Sequence, residues 1–72
     1  MEYVVLRDEE TDEIEKLGRF GENWRQERFY QGEWVWDEVL DRELSDGLLE
    51  EISEAEAERL IALRFAPEKI AA

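Results

Sequence analysis

The groups in this chain that could do chemistry are carboxylates and tryptophans. Twenty-one acidic side chains stand against nine basic ones in 72 residues, with no histidine and no cysteine, for a formal charge of -12. Thr11, Ser45 and Ser53 are the hydroxyl nucleophiles besides tyrosine, and none has the histidine or cysteine partner that usually activates such a group. Asp37 and Asp41 are spaced one helical turn apart, as a carboxylate pair for acid/base work would be. That chemistry needs a sequestered cleft that drives two pKa values apart, and a chain this short has little room for one. The sequence therefore predicts no enzyme, no catalytic residue and no cofactor.

Metal chemistry is equally poorly served. A structural zinc site needs cysteine or histidine. The run Asp8-Glu9-Glu10-Thr11-Asp12-Glu13 is rich in hard oxygen donors, but calcium loops set theirs at alternate positions around a glycine turn, with a later bidentate glutamate. This run lacks that register and reads as solvated charge, so no metal site is expected.

The aromatic residues are more informative. Trp24, Trp34 and Trp36, with Phe29 and Tyr30, have the makings of a stacking platform for a base, a sugar or a partner's arginine. Large aromatics also fill the cores of small domains. Trp34 and Trp36 are accordingly assigned mainly to the core, and Trp24, flanked by polar residues, to the surface as an anchor.

A field of this sign repels nucleic acid and anionic lipid and attracts basic protein surfaces. No basic stripe is present to neutralise phosphates, which argues against direct binding of DNA or RNA. The acids divide almost evenly about Trp36, so binding would use a face of the molecule rather than an appended arm. Glutamate outnumbers aspartate, and Met1 and Asn23 are the sole residues of their types, a mix that resembles heat-adapted, solubilising surfaces. Tyr3 to Leu6 is the longest apolar run near the N-terminus and is too short for a signal peptide or a membrane span, so a cytoplasmic location is expected.

The elements that must position these groups follow from local pattern. Tyr3-Val4-Val5-Leu6 reads as a strand with apolar groups on both faces, covered on both sides or meeting a partner at an edge. The acidic run after it is an exposed loop. From Glu13 to Phe20 the signals conflict: Ile14 and Leu17 stand at helical spacing, while Gly18 and Gly21 bracket Phe20 as turns around a strand would, and the stretch is read as irregular or β. Phe29-Tyr30 and Trp34-Val35-Trp36 flank Gln31-Gly32-Glu33 as a hairpin. Asp37 is placed as N-cap of a short helix through Ser45, closed by Gly47. Leu48 to Ile52 reads as a returning strand. Ser53 and Glu56 form a capping box for a helix whose stripe is Ala57, Leu60, Ile61 and Phe65, with Leu63 at its margin and Pro67 as its stop.

These signals predict one α+β domain: a small antiparallel sheet of three or four strands packed against the C-terminal helix Ser53 to Phe65, with one short additional helix. The function expected is that of a non-catalytic interaction module docking on a basic protein surface, with Trp24 as anchor and Glu9, Glu10, Asp12 and Glu13 as steering charge. The alternative is a nucleic-acid mimic, phage-type or antitoxin-like, occupying a DNA- or RNA-binding groove. Neither direct nucleic-acid binding nor membrane binding is expected. A homodimer is possible if Leu63 or Ile70 is surplus to the helix's packing.

Overall fold

The computed structural model describes residues 1–65, of which Arg64 and Phe65 contribute backbone only. The expected stop at Pro67, the surplus Ile70 and the Phe65 side chain lie outside the described residues. In chain order the elements are β1 (Glu2–Arg7), β2 (Ile14–Phe20), β3 (Gln26–Tyr30), β4 (Glu33–Trp36), α1 (Leu40–Ser45), β5 (Leu49–Ile52) and α2 (Glu54–Leu60). The strands form one sheet in the order β4-β3-β2-β1-β5, every neighbouring pair antiparallel.

Among the described residues, five strands thus stand where three or four were expected. The difference turns on the ambiguous stretch before Gly21, which becomes β2 at the centre of the sheet. Flanked by β1 and β3, an extended chain there satisfies its backbone donors and acceptors on both sides, which a single helical turn would not. Ladder formation overrides the helical spacing of Ile14 and Leu17.

Alternation along each strand divides the residues between two faces, and a helix covers each. Val4 and Phe20 lie on one face and are buried with Leu40 of α1, while Leu49 packs at their margin. On the other, Val5 and Leu17 are buried with Ala57 of α2, surrounded by Tyr3, Phe29, Trp34, Ile52 and Leu60. The apolar residues on both faces of β1 are explained by this sandwich.

Two glycines permit it. Gly18 lies under Leu40, where a Cβ would come within 2.9 Å of both leucine methyls and 3.3 Å of the Glu27 carbonyl oxygen, so helix and sheet approach this closely because no side chain intervenes. Gln31 and Gly32, both at positive φ (51° and 88°), form the two-residue turn between the paired Tyr30 and Glu33. Two successive positive φ angles match the twist of the hairpin they join.

The helix starts differ from each other. Ser53 caps α2 as expected, its hydroxyl accepting the Glu56 N–H at 3.1 Å, and the helix continues past Leu60 as a wider π-type turn, Ile61–Phe65. Asp37 does not cap α1: its Oδ1 accepts the Val39 N–H at 3.0 Å, and the helix begins at Leu40 without a side-chain cap. Its other oxygen is engaged by Lys16 of β2, whose Nζ lies 2.7 Å from Asp37 Oδ2 and 2.6 Å from Glu43 Oε1. Asp37 thus ties α1 to the sheet instead of capping it. Among the described residues no helix is long and apolar enough to cross a membrane.

Candidate functional site

The antiparallel register sorts the candidate residues to opposite ends of the sheet. Glu2 faces Phe20 at one end of the β1–β2 pair, and Arg7 faces Ile14 at the other. The acidic loop joins β1 to β2 at the Arg7 end. Trp24, in the turn between β2 and β3, stands at the Phe20 end, as does Trp36, which pairs with Glu27 at the close of β4. Seven residues of β2 put about 20 Å between the ends at the usual rise per strand residue. Trp24 is therefore brought together with Trp36, and not with Glu9, Glu10, Asp12 and Glu13.

Those four acids are exposed in a turn with internal order. Asp8 Oδ1 accepts the N–H groups of Glu10 (2.7 Å) and Thr11 (3.1 Å), and Asp8 N–H donates to the Glu13 carbonyl at 2.8 Å. The N–H groups of Thr11 and Glu10 hold the Asp8 carboxyl below its ordinary range. A hydrogen bond with Asp8 raises Glu15. Among the described residues no group of acids could hold a metal ion.

Trp24 belongs to a 3-10 turn, Glu22–Trp24, closed by Gly21 N–H to the Arg25 carbonyl (2.8 Å) and Arg25 N–H to the Glu22 carbonyl (3.1 Å). Within it Asn23 and Trp24 both take left-handed φ, 58° and 57°. Asparagine tolerates this region; for tryptophan it is an outlier, costing roughly 1–2 kcal/mol. The strained turn leaves the indole 63% exposed, supported edge-on by Phe20 at 5.3 Å. Trp24→Gly is accordingly expected to be more stable to urea than Trp24→Ala by roughly 0.5–1 kcal/mol, the left-handed penalty less glycine's chain entropy. Equal stabilities would mean that the turn relaxes and the strain is absent.

The core assignment of the other two tryptophans holds for one of them. Trp34 is half-buried, with Phe29 at 5.2 Å, Tyr3 at 6.0 Å and the Arg19 guanidinium 4.2 Å from its ring centroid. Trp36 is 58% exposed and corrects the expectation. It is the last residue of an edge strand, beyond the cluster gathered under α2, so sharing a face with Trp34 does not give it the same cover.

Trp36 separates two concavities. One, about 460 Å³, lies between the tryptophans and α1 and is lined by Trp24, Gln26, Trp36, Asp41, Leu44 and Ser45. The other, about 580 Å³, includes Arg19, Arg25 and Glu27. Leu44 and Asp41 are exposed. Sequence reasoning missed Trp36, Asp41 and Leu44 as surface residues. A usable signal was present: Trp36 immediately precedes the break at Asp37, and a strand's terminal residue commonly outruns its cover.

Charge pairing fixes the surroundings. Glu27 is buried, with Oε1 accepting Arg19 Nε (2.9 Å) and Oε2 accepting Arg25 Nε (3.1 Å), bonds that hold its carboxyl below the usual range. Burial alone would raise Asp37; the Lys16 hydrogen bond, the Val39 N–H and the charges of Lys16 and Arg28 together bring it below that range. Asp37 is thus committed to an ion pair with Lys16, while Asp41 is exposed.

Both carboxyls are held below their ordinary range, so the unfolded state binds protons first; their stabilisation is complete above the ordinary carboxylate range, about pH 5, and disappears as pH falls through the lowered folded values. Glu15, raised, acts oppositely and loses its contribution as pH rises. Urea unfolding between pH 3 and 7, in steps of about one unit, should show a steep acid limb that Asp37→Asn and Glu27→Gln each flatten. An acid limb unchanged in both variants would contradict this assignment.

The architecture defines a small α+β domain, five antiparallel strands with a helix on each face. Comparison with known proteins gives no match: no family model fits the chain, no curated protein matches its sequence, and no solved structure matches its fold.

Proposed function

We propose that this protein is a non-catalytic interaction module that docks on a basic protein surface through its tryptophan end. The observation that carries this reading is the placement of Trp24: a large indole held out in solvent by a left-handed turn, next to a second exposed tryptophan. Exposed aromatics on a rigid frame are the groups that dominate binding energy at interfaces. The negative charge supplies attraction that does not depend on contact. Glu9, Glu10, Asp12 and Glu13, at the far end, contribute steering over distance rather than a rim around the anchor.

Capture from the source cells at roughly 20 mM and 500 mM salt tests this, since screening at the higher value removes long-range attraction. Basic proteins should be retained at low salt by the wild-type chain and lost by Trp24→Ala/Trp36→Ala. A variant neutralised at Glu9, Glu10, Asp12 and Glu13 should retain the same proteins more slowly. Equal retention by the tryptophan variant removes the anchor from the account. Displacement of the partner by a DNA duplex would assign nucleic-acid mimicry instead.

A further inference from the structure

We infer that the concavity between Trp24, Trp36 and α1 receives an arginine side chain of the partner, its guanidinium stacked on indole and paired with Asp41. This rests on the basic-partner reading and names the group that the site takes.

The chemistry of the lining carries it. Two exposed indoles and the carboxylate of Asp41 meet there with Leu44, and no basic residue is among the groups that line it. Indole faces attract cations, and guanidinium, planar and weakly hydrated, stacks on them better than ammonium does. The volume, about 460 Å³, is within the ~300–1,000 Å³ range of small-molecule clefts and is large enough to admit a side chain. Across Trp36 the other concavity already holds Arg19 and Arg25, so an incoming cation is directed to the α1 side.

The molecule contains the same arrangement in occupied form. Arg19 lies 4.2 Å from the Trp34 centroid while its Nε and Nη2 reach Glu27 Oε1 at 2.9 and 2.8 Å, a guanidinium held between ring and carboxylate. Arg28 lies 5.1 Å from the Tyr30 ring. These are the arginine–ring contacts among the described residues, and neither uses Trp24 or Trp36. A nucleotide base would also stack on indole, but its phosphate would meet a chain of charge -12.

Two acetylated peptides of matched length and charge, one carrying arginines and the other lysines, provide the test. The indole Nε1–H signals of Trp24 and Trp36 are followed by NMR at roughly 20 mM salt, where the field is least screened. The arginine peptide should shift both signals and half-saturate at about five- to tenfold lower concentration than the lysine peptide. Trp36→Ala should abolish the preference. Asp41→Asn, an exposed change that leaves the fold intact, should weaken the arginine peptide about threefold, whereas Glu54→Gln should not. Equal affinities with the indole signals unmoved would overturn the arginine assignment while leaving the basic-partner reading in place. Failure of both peptides to bind would overturn both.

Discussion

Truncation of Leu40 to alanine is expected to destabilise the domain by about 3–4 kcal/mol. Leu40 is completely buried and is the one α1 residue in the core, so the cavity left by its removal opens beneath a six-residue helix with little else to hold it down. A domain of this size has a total stability of only about 4–10 kcal/mol, so the variant should stand near its unfolding midpoint under mild conditions. Gly18→Ala acts on the same contact from the sheet side. With a Cβ 2.9 Å from both Leu40 methyls, it should destabilise by about 1–3 kcal/mol through overpacking. Combined, the two should cost less than their sum, because the new methyl enters the space vacated by leucine. Urea unfolding of the four proteins in the cycle checks this; strict additivity would show that the close approach of α1 to Gly18 is not real.

Lys16→Met should be nearly as severe, about 3 kcal/mol. Lys16 is 13% exposed and joins Asp37, 6% exposed, to Glu43, and its loss leaves two carboxylates facing one another with no cation between them. Burial draws the lysine pKa down, yet the hydrogen bonds and charges of Asp37 and Glu43 leave it above the ordinary range, so the ammonium stays charged throughout neutral pH. Sign follows: this group stabilises the fold at every pH below its ordinary titration, and the contribution disappears only as pH rises through the folded value in strong alkali. Adding Asp37→Asn to Lys16→Met should recover part of the loss by removing one of the stranded charges. A Lys16→Met protein within ~0.5 kcal/mol of wild type would place the triad among surface pairs of negligible worth.

Much of this architecture could be read from the chain, for reasons that differ by element. The hairpin was legible because Gln31-Gly32 supplies the only turn chemistry between two aromatic runs, and α2 because Ser53 and Glu56 announce its start. β2 was legible only in part, as irregular or β, since Ile14, Leu17 and Gly18 favour no one period and its extension depends on neighbours distant in sequence. Asp37 looked like a helix cap because the residues after it are helical; its ion pair with Lys16, 21 positions earlier, is a tertiary fact with no local trace.

The candidate site was legible in composition but not in arrangement. The surface position of Trp24 followed from its polar neighbours. That the acidic loop and Trp24 occupy opposite ends depends on strand register, which the sequence does not state. The exposure of Trp36 depends on how far α2 reaches, and the left-handed turn at Asn23 and Trp24 contradicts the preferences of tryptophan itself. A residue forced against its preference is where local reading is least able to follow a fold.

Docking of the tryptophan end on a basic partner, with the remaining charge acting at a distance, is read from the dissociation constant of the captured basic protein, measured against salt for wild type and for Trp24→Ala/Trp36→Ala. Both should weaken with rising salt at a similar slope, since the charge is unchanged, and the variant should bind at least about tenfold more weakly at every salt concentration. Coincident curves for the two proteins would contradict the account.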